Sequence, residues 1–113
     1  MSAPTVAVID IGSNSIKVLV AARDARGGVE PVFSRSLDAR ISAGISAAEP
    51  RLGEDGMARG VAAVQELLAA AAPFAPARLD LVATSAVRDA ANGGEFRARV
   101  HAATGHAIRI LTG

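Results

Sequence analysis

The sequence predicts an α/β domain with a mixed sheet and helices packed on it. Three observations carry that prediction. Three short apolar runs rich in β-branched residues follow one another between residues 6 and 37, joined by two short turns. A helical repeat of apolar residues then begins after Gly53 and stops at Pro73. A further short apolar run follows that helix, and a strand–helix–strand crossover implies parallel pairing with the helix on one sheet face.

Residues 6–11, Val-Ala-Val-Ile-Asp-Ile, are apolar except for Asp10 and read as a buried strand. Gly12, Ser13 and Asn14 supply turn chemistry, and residues 15–21 read as the returning strand of a hairpin. A second turn at 24–28 leads to a third strand at 29–37, which Pro31 places at or near a sheet edge. The three strands make an antiparallel meander. Residues 38–52 have no clear period, contain Gly44 and Pro50, and read as a loop. A loop that long in a compact domain is a candidate for function, and Arg40 lies inside it.

Glu54 and Asp55 open the next helix, where the N-terminal dipole favours negative charge. Met57, Val61, Val64, Leu68 and Ala71 recur at helical spacing. Residues 79–83 read as a strand, and Thr84-Ser85 ends it and caps a short helix through about Ala91. Asn92 and Glu95 stand at capping-box spacing for a second helical stretch, with Phe96, Val100 and Ala103 expected in the core. Gly105 sits where a helix-closing glycine belongs, and residues 107–111 read as the last strand.

Composition narrows the classes of function. A chain of 113 residues is one domain or one piece of a larger one. Twelve bases against eleven acids give a net charge of +1, so no global field draws the chain to nucleic acid or membrane. Lys17 is the only lysine, so anion contacts fall mostly to arginine. The absence of cysteine excludes disulfides, a cysteine zinc site and a thiol nucleophile. His101 and His106 are the only histidines and make a poor transition-metal set. Residues 1–5 carry no basic n-region, and no apolar run reaches the roughly 20 residues of a membrane span. The expectation is a cytoplasmic protein.

Two stretches carry chemistry. In the first hairpin, Gly12 lacks a Cβ, so backbone amides can approach an anion closely. Ser13, Asn14 and Ser15 add donors, and Asp10 could hold a divalent cation through water. The same residues also make a good hairpin turn with Asp10 as its cap. In the second stretch, Ala-Thr-Ser-Ala-Val-Arg-Asp-Ala-Ala-Asn at 83–92, a strand runs into a helix N-terminus, a ready anion site. Arg88 follows Ser85 by three positions and could give a bidentate guanidinium to phosphate oxygens. An ordinary capped helix with Arg88 paired to a nearby acid fits that stretch as well. Both stretches end strands, and strands in parallel place those ends on one sheet edge, where α/β sheets bind ligands.

VAVIDIGSNSIKVLV, then ARISAG, LVATSAVRDAANGGEFRARV and GHAIRILTG resemble, in that order, the exopolyphosphatase/guanosine pentaphosphate phosphatase (Ppx/GppA) family. That family belongs to the actin-like, sugar-kinase and Hsp70 superfamily of ATPase folds. The resemblance implies a ribonuclease-H-like βββαβαβ subdomain, and magnesium-dependent hydrolysis of a terminal phosphoanhydride on polyphosphate or guanosine pentaphosphate. By motif match, Asp10 helps hold Mg²⁺, and Gly12, Ser13, Asn14 and Ser15 form a phosphate loop. Ser85 and Arg88 bind substrate phosphate, with Arg40 a weaker candidate. A homodimer is implied for the full-length protein. The glutamate that activates the attacking water falls beyond Gly113 in the family pattern, and none of Glu30, Glu49, Glu54, Glu66 and Glu95 matches it. The chain is therefore expected to be an N-terminal subdomain, with no catalytic base of its own and negligible turnover alone. A kinase or ATPase of the same superfamily and a non-catalytic phosphate-binding piece are the alternatives.

Overall fold

β-branched residues pack well on a pleated, half-buried surface, and the start of the chain uses them to build the meander. β1 (Thr5–Ile11) pairs antiparallel with β2 (Ile16–Arg23), and β2 with β3 (Val29–Leu37). This is a computed structural model, and it describes residues 4–42 and 51–111. After the meander come α1 (Glu54–Ala71), a 3-10 turn at Ala72–Phe74, β4 (Arg78–Ala83), α2 (Ser85–Asp89), α3 (Gly93–Thr104) and β5 (Ile108–Ile110). The sheet order is β3-β2-β1-β4-β5, with β4 parallel to β1 and β5 parallel to β4. The βββαβαβ order is the expected one. Pro31 sits on the edge strand, and the β2–β3 register slips between Val20 and Ala21. Gly44 lies outside the described residues.

All three helices pack on one face of the sheet. Met57, Val64 and Leu67 of α1, Val87 of α2, and Phe96 and Val100 of α3 share one buried cluster with Ile9, Ile11, Val18, Val20, Leu81 and Ala83. Burying each large aliphatic or aromatic side chain contributes about 1.5–3 kcal/mol. Val8, Asp10, Lys17 and Leu19 fall on the other face, where Leu19 is 39% exposed. β1 therefore alternates rather than being buried on both faces. Its apolar run hid that alternation because Val8 is as hydrophobic as its buried neighbours.

Of the expected α1 stripe, Met57, Val64 and Ala71 are buried and Val61 and Leu68 pack at its margin, while Gly56, Gly60, Ala63 and Leu67 widen the buried face. A Cβ on Gly56 would come within 2.5 Å of the Ile41 carbonyl oxygen, and one on Gly60 within 2.8 Å of the Phe96 ring. The loop and α3 thus rest directly on the α1 backbone. Volume as well as hydrophobicity sets that face.

Two expectations for α3 are corrected. Asn92 makes no side-chain cap at its N-terminus, because that side chain is buried and bonded elsewhere. Ala103 is exposed, since the buried positions of α3 are only Gly93, Phe96 and Val100. Gly105 does close the helix, at φ +77°, with its N–H donating to the His101 carbonyl. At the α1–α3 surface, Arg99 donates two hydrogen bonds to Glu54, which hold that carboxyl below its ordinary value. Any stability from this pair is present above the ordinary carboxylate range and lost as pH falls through the lowered value. Among the described residues, no helix is long and apolar enough to cross a membrane.

Candidate phosphate site at the carboxyl edge of the sheet

The hairpin between β1 and β2 is closed by one short contact, the Gly12 N–H donating to the Ser15 carbonyl at 3.0 Å. A Cβ on Gly12 would lie 3.0 Å from that same oxygen, so a side chain there crowds the turn. The carbonyls of the turn are occupied from behind. Ser13 accepts from the Ser42 N–H and hydroxyl, and Asn14 accepts from the Arg40 N–H at 2.9 Å. The N–H groups of Ser13, Asn14 and Ser15 donate to no protein acceptor among the described residues. A turn with its acceptors tied back and its donors free suits an anion.

Asp10 precedes this turn and is exposed. Among the described residues its carboxylate accepts no hydrogen bond, so it does not cap the turn. Nor do three or more acidic or histidine side chains gather anywhere among the described residues to cage a metal.

Arg40 comes to the first motif through its backbone, at φ +48°. Its guanidinium pairs with Asp38 at 3.0 Å, both side chains well exposed. The strained residue is held by Arg59, which donates to the Ala39 carbonyl at 2.8 Å and the Arg40 carbonyl at 2.9 Å. Arg59 belongs to α1, and nothing in its sequence context marks it for this role.

The second motif follows β4. β1 and β4 pair in register with Asp10 beside Val82 and Ile11 beside Ala83, so both strands end on the same edge. α2 starts at Ser85, two residues past that edge, but the Ser85 side chain lies outside the described residues. Arg88 donates to Asp89 at 3.1 Å and, at 3.5 Å, toward the Leu111 carbonyl beyond β5. The pairing with a neighbouring acid is thus real. It uses only part of the guanidinium fork, and the Arg88 side chain keeps 35% of its surface exposed. With strands about 4.8 Å apart, the ends of β1 and β5 lie roughly 10 Å from each other.

Asn92 supports the same edge from below. Its amide accepts from the Leu52 N–H at 2.8 Å and donates to the Leu52 carbonyl at 2.9 Å. One buried side chain thereby ties the end of the loop that carries Arg40 to the joint between α2 and α3.

A model of the Ppx/GppA phosphatase family matches residues 19–113. The chain belongs to the Ppx/GppA phosphatase family. The solved Ppx/GppA phosphatase of Aquifex aeolicus superposes with a TM-score of 0.88 at 28% identity, over 96% of this chain and 36% of that one. A solved exopolyphosphatase-like protein gives 0.87 at 31% identity, over 97% and 33%. An exopolyphosphatase from Cytophaga hutchinsonii gives 0.87 at 17% identity, over 95% and 34%, and shows the fold alone. The ribonuclease-H-like, actin-like ATPase subdomain expected from the sequence is therefore the fold of this chain, shared with other Ppx/GppA proteins. The chain spans about a third of the length of these matched structures.

Proposed function

We propose that this chain supplies the first phosphate-binding half of a phosphoanhydride hydrolase that releases terminal phosphate from inorganic polyphosphate, guanosine pentaphosphate or both. One observation carries the reading. The parallel register of β1 and β4 sets the Gly12–Ser15 turn and the Arg88 helix at one sheet edge.

In this reading the free amides of Ser13, Asn14 and Ser15 bind oxygens of one phosphate group. Arg88 takes an adjoining group with the unpaired part of its fork, and Ser85 adds a hydroxyl. Arg40 lends positive charge from the flanking loop. Asp10 fits Mg²⁺ rather than a fully caged ion, because it is a single exposed carboxylate and magnesium keeps several waters and substrate phosphates as ligands. When bound, Mg²⁺ neutralises charge on the phosphoryl oxygens. Water attacks the terminal phosphorus, the bond to the bridging oxygen breaks, and the shortened chain leaves with that oxygen. The residues above hold the terminal group in line and stabilise its charge, which is most of what phosphoryl transfer asks of a protein. By the family resemblance, the glutamate base and the second phosphate loop belong to a further part of the parent protein.

The test is phosphate release from long-chain polyphosphate and from guanosine pentaphosphate by the full-length protein. Release that needs Mg²⁺, stops with chelator and is negligible for the 113-residue chain alone is the expected result. Release unchanged by chelator would contradict the assignment of Asp10. Tight phosphate binding with no release from either substrate would favour the non-catalytic alternative.

A further inference from the structure

The loop that precedes α1 meets the phosphate turn from behind, and does so with its backbone. The Arg40 N–H donates to the Asn14 carbonyl at 2.9 Å, and the Ser42 N–H and hydroxyl donate to the Ser13 carbonyl at 3.3 and 3.0 Å. In a trans peptide the carbonyl and the N–H that follows it point opposite ways. Holding the Ser13 and Asn14 carbonyls against the loop therefore turns the N–H groups of Asn14 and Ser15 away from it. Two of the three free amides of the turn owe their direction to residues 40–42.

One side of α1 grips that strap in turn. Gly56, Arg59 and Gly60 share a helix side by their spacing. Ile41 is fully buried against it, with its carbonyl over Gly56 and its side chain beside Gly60. Next to these contacts Arg59 donates to the Ala39 carbonyl at 2.8 Å and to the Arg40 carbonyl at 2.9 Å. Every other arginine side chain that donates a hydrogen bond among the described residues gives one to a carboxylate. Arg59 instead gives its fork to two successive carbonyls. Arg40 itself stands at φ +48°, a left-handed conformation that is costly for a residue with a Cβ. The strap therefore needs something to hold it in this form.

We propose that Arg59 is a positioning residue for phosphate binding: it holds the 39–42 strap in its strained form, and the strap presets the amides of the turn. The proposal rests on the reading of the edge as a phosphate site and concerns what keeps that site ready. A site preset for only part of the time binds more weakly in proportion to that fraction. Loss of Arg59 then weakens binding without removing any contact to the anion. Two plainer roles predict otherwise. A general brace of the fold would lower the melting temperature and leave affinity alone. A direct ligand, or a diffuse positive charge, would act whatever residue stands at position 40.

The test is calorimetric titration of the 113-residue chain with inorganic tripolyphosphate in Mg²⁺, joined to hydrogen exchange of the Arg40 and Ser42 amides without anion. Arg59→Gln is expected to speed exchange of both amides about tenfold as the strap opens. It should weaken tripolyphosphate binding about fivefold. Arg59→Lys keeps the charge and loses the fork, so it should lie between Arg59→Gln and wild type. The deciding comparison uses Arg40→Gly, because glycine takes a positive φ without steric cost and closes the strap unaided. In that background Arg59→Gln should weaken binding less than about twofold. Equal weakening in both backgrounds overturns the proposal, as does full recovery by Arg59→Lys. A lowered melting temperature with unchanged affinity overturns it too. Wild type with no affinity for tripolyphosphate would overturn the phosphate reading of the whole edge together with the part given to Arg59. Retained wild-type binding that Arg59→Gln leaves unaffected removes Arg59 alone.

Discussion

Replacing Arg88 with alanine is expected to lower kcat/KM for phosphate release by the full-length protein about 10²- to 10³-fold, the usual cost of removing a preorganised donor from a charged transition state. The side chain sits at the carboxyl end of β4, and its fork is only partly used by Asp89 and Leu111. Folding should hardly notice the change. The Arg88–Asp89 pair is 35% and 60% exposed at its two side chains, and exposed pairs contribute little. Thermal melts of the variant should therefore match wild type within about 0.5 kcal/mol. Arg88→Lys should fall between the two in activity, because it keeps the charge and loses the planar fork. A large loss of melting temperature in Arg88→Ala would instead make the residue structural.

Asn92→Ala should act the other way, on stability first. Its amide satisfies both the N–H and the carbonyl of Leu52 in a buried setting. Truncation leaves two buried backbone groups without partners, at about 1–3 kcal/mol each. A loss of about 3 kcal/mol corresponds to a fall in melting temperature on the order of 10 °C for a domain of this size. Asn92→Asp keeps the acceptor for the Leu52 N–H and loses the donor, so it should fall between wild type and alanine. Circular-dichroism melts of the three proteins check the ranking. Equal melting temperatures would mean that water replaces the amide, and that Leu52 is not anchored by this contact.

The meander, the crossover helix and the parallel β4 were legible in the sequence because their signals are local. Runs of Val and Ile, glycine turns and a helical repeat ending at Pro73 need no knowledge of what lies across the fold. Two of the misreadings involve partners distant in sequence. Asn92 and Glu95 have the spacing of a capping box, but Leu52, forty positions upstream, competes for the same amide. The α1 face widens to take in Gly56 and Gly60 because Ile41 and Phe96 approach there, which no helical repeat announces. Of the candidate site, Asp10, the Gly12 turn, Arg40 and Arg88 were found as types in a motif. Arg59 escaped because it acts through the carbonyls of Ala39 and Arg40, and a carbonyl contact leaves no mark on the sequence. The register that sets the two motifs at one edge becomes visible only when the strands are paired.

Register also carries the central claim, that two stretches more than seventy positions apart form one phosphate site. Amide-resolved NMR titration of the 113-residue chain with inorganic tripolyphosphate and Mg²⁺ tests it most directly. The expected result is that the amides of Gly12 to Ser15 and of Thr84 to Arg88 shift together and saturate with a single dissociation constant. Shifts confined to one stretch, or two stretches saturating at different concentrations, would contradict it.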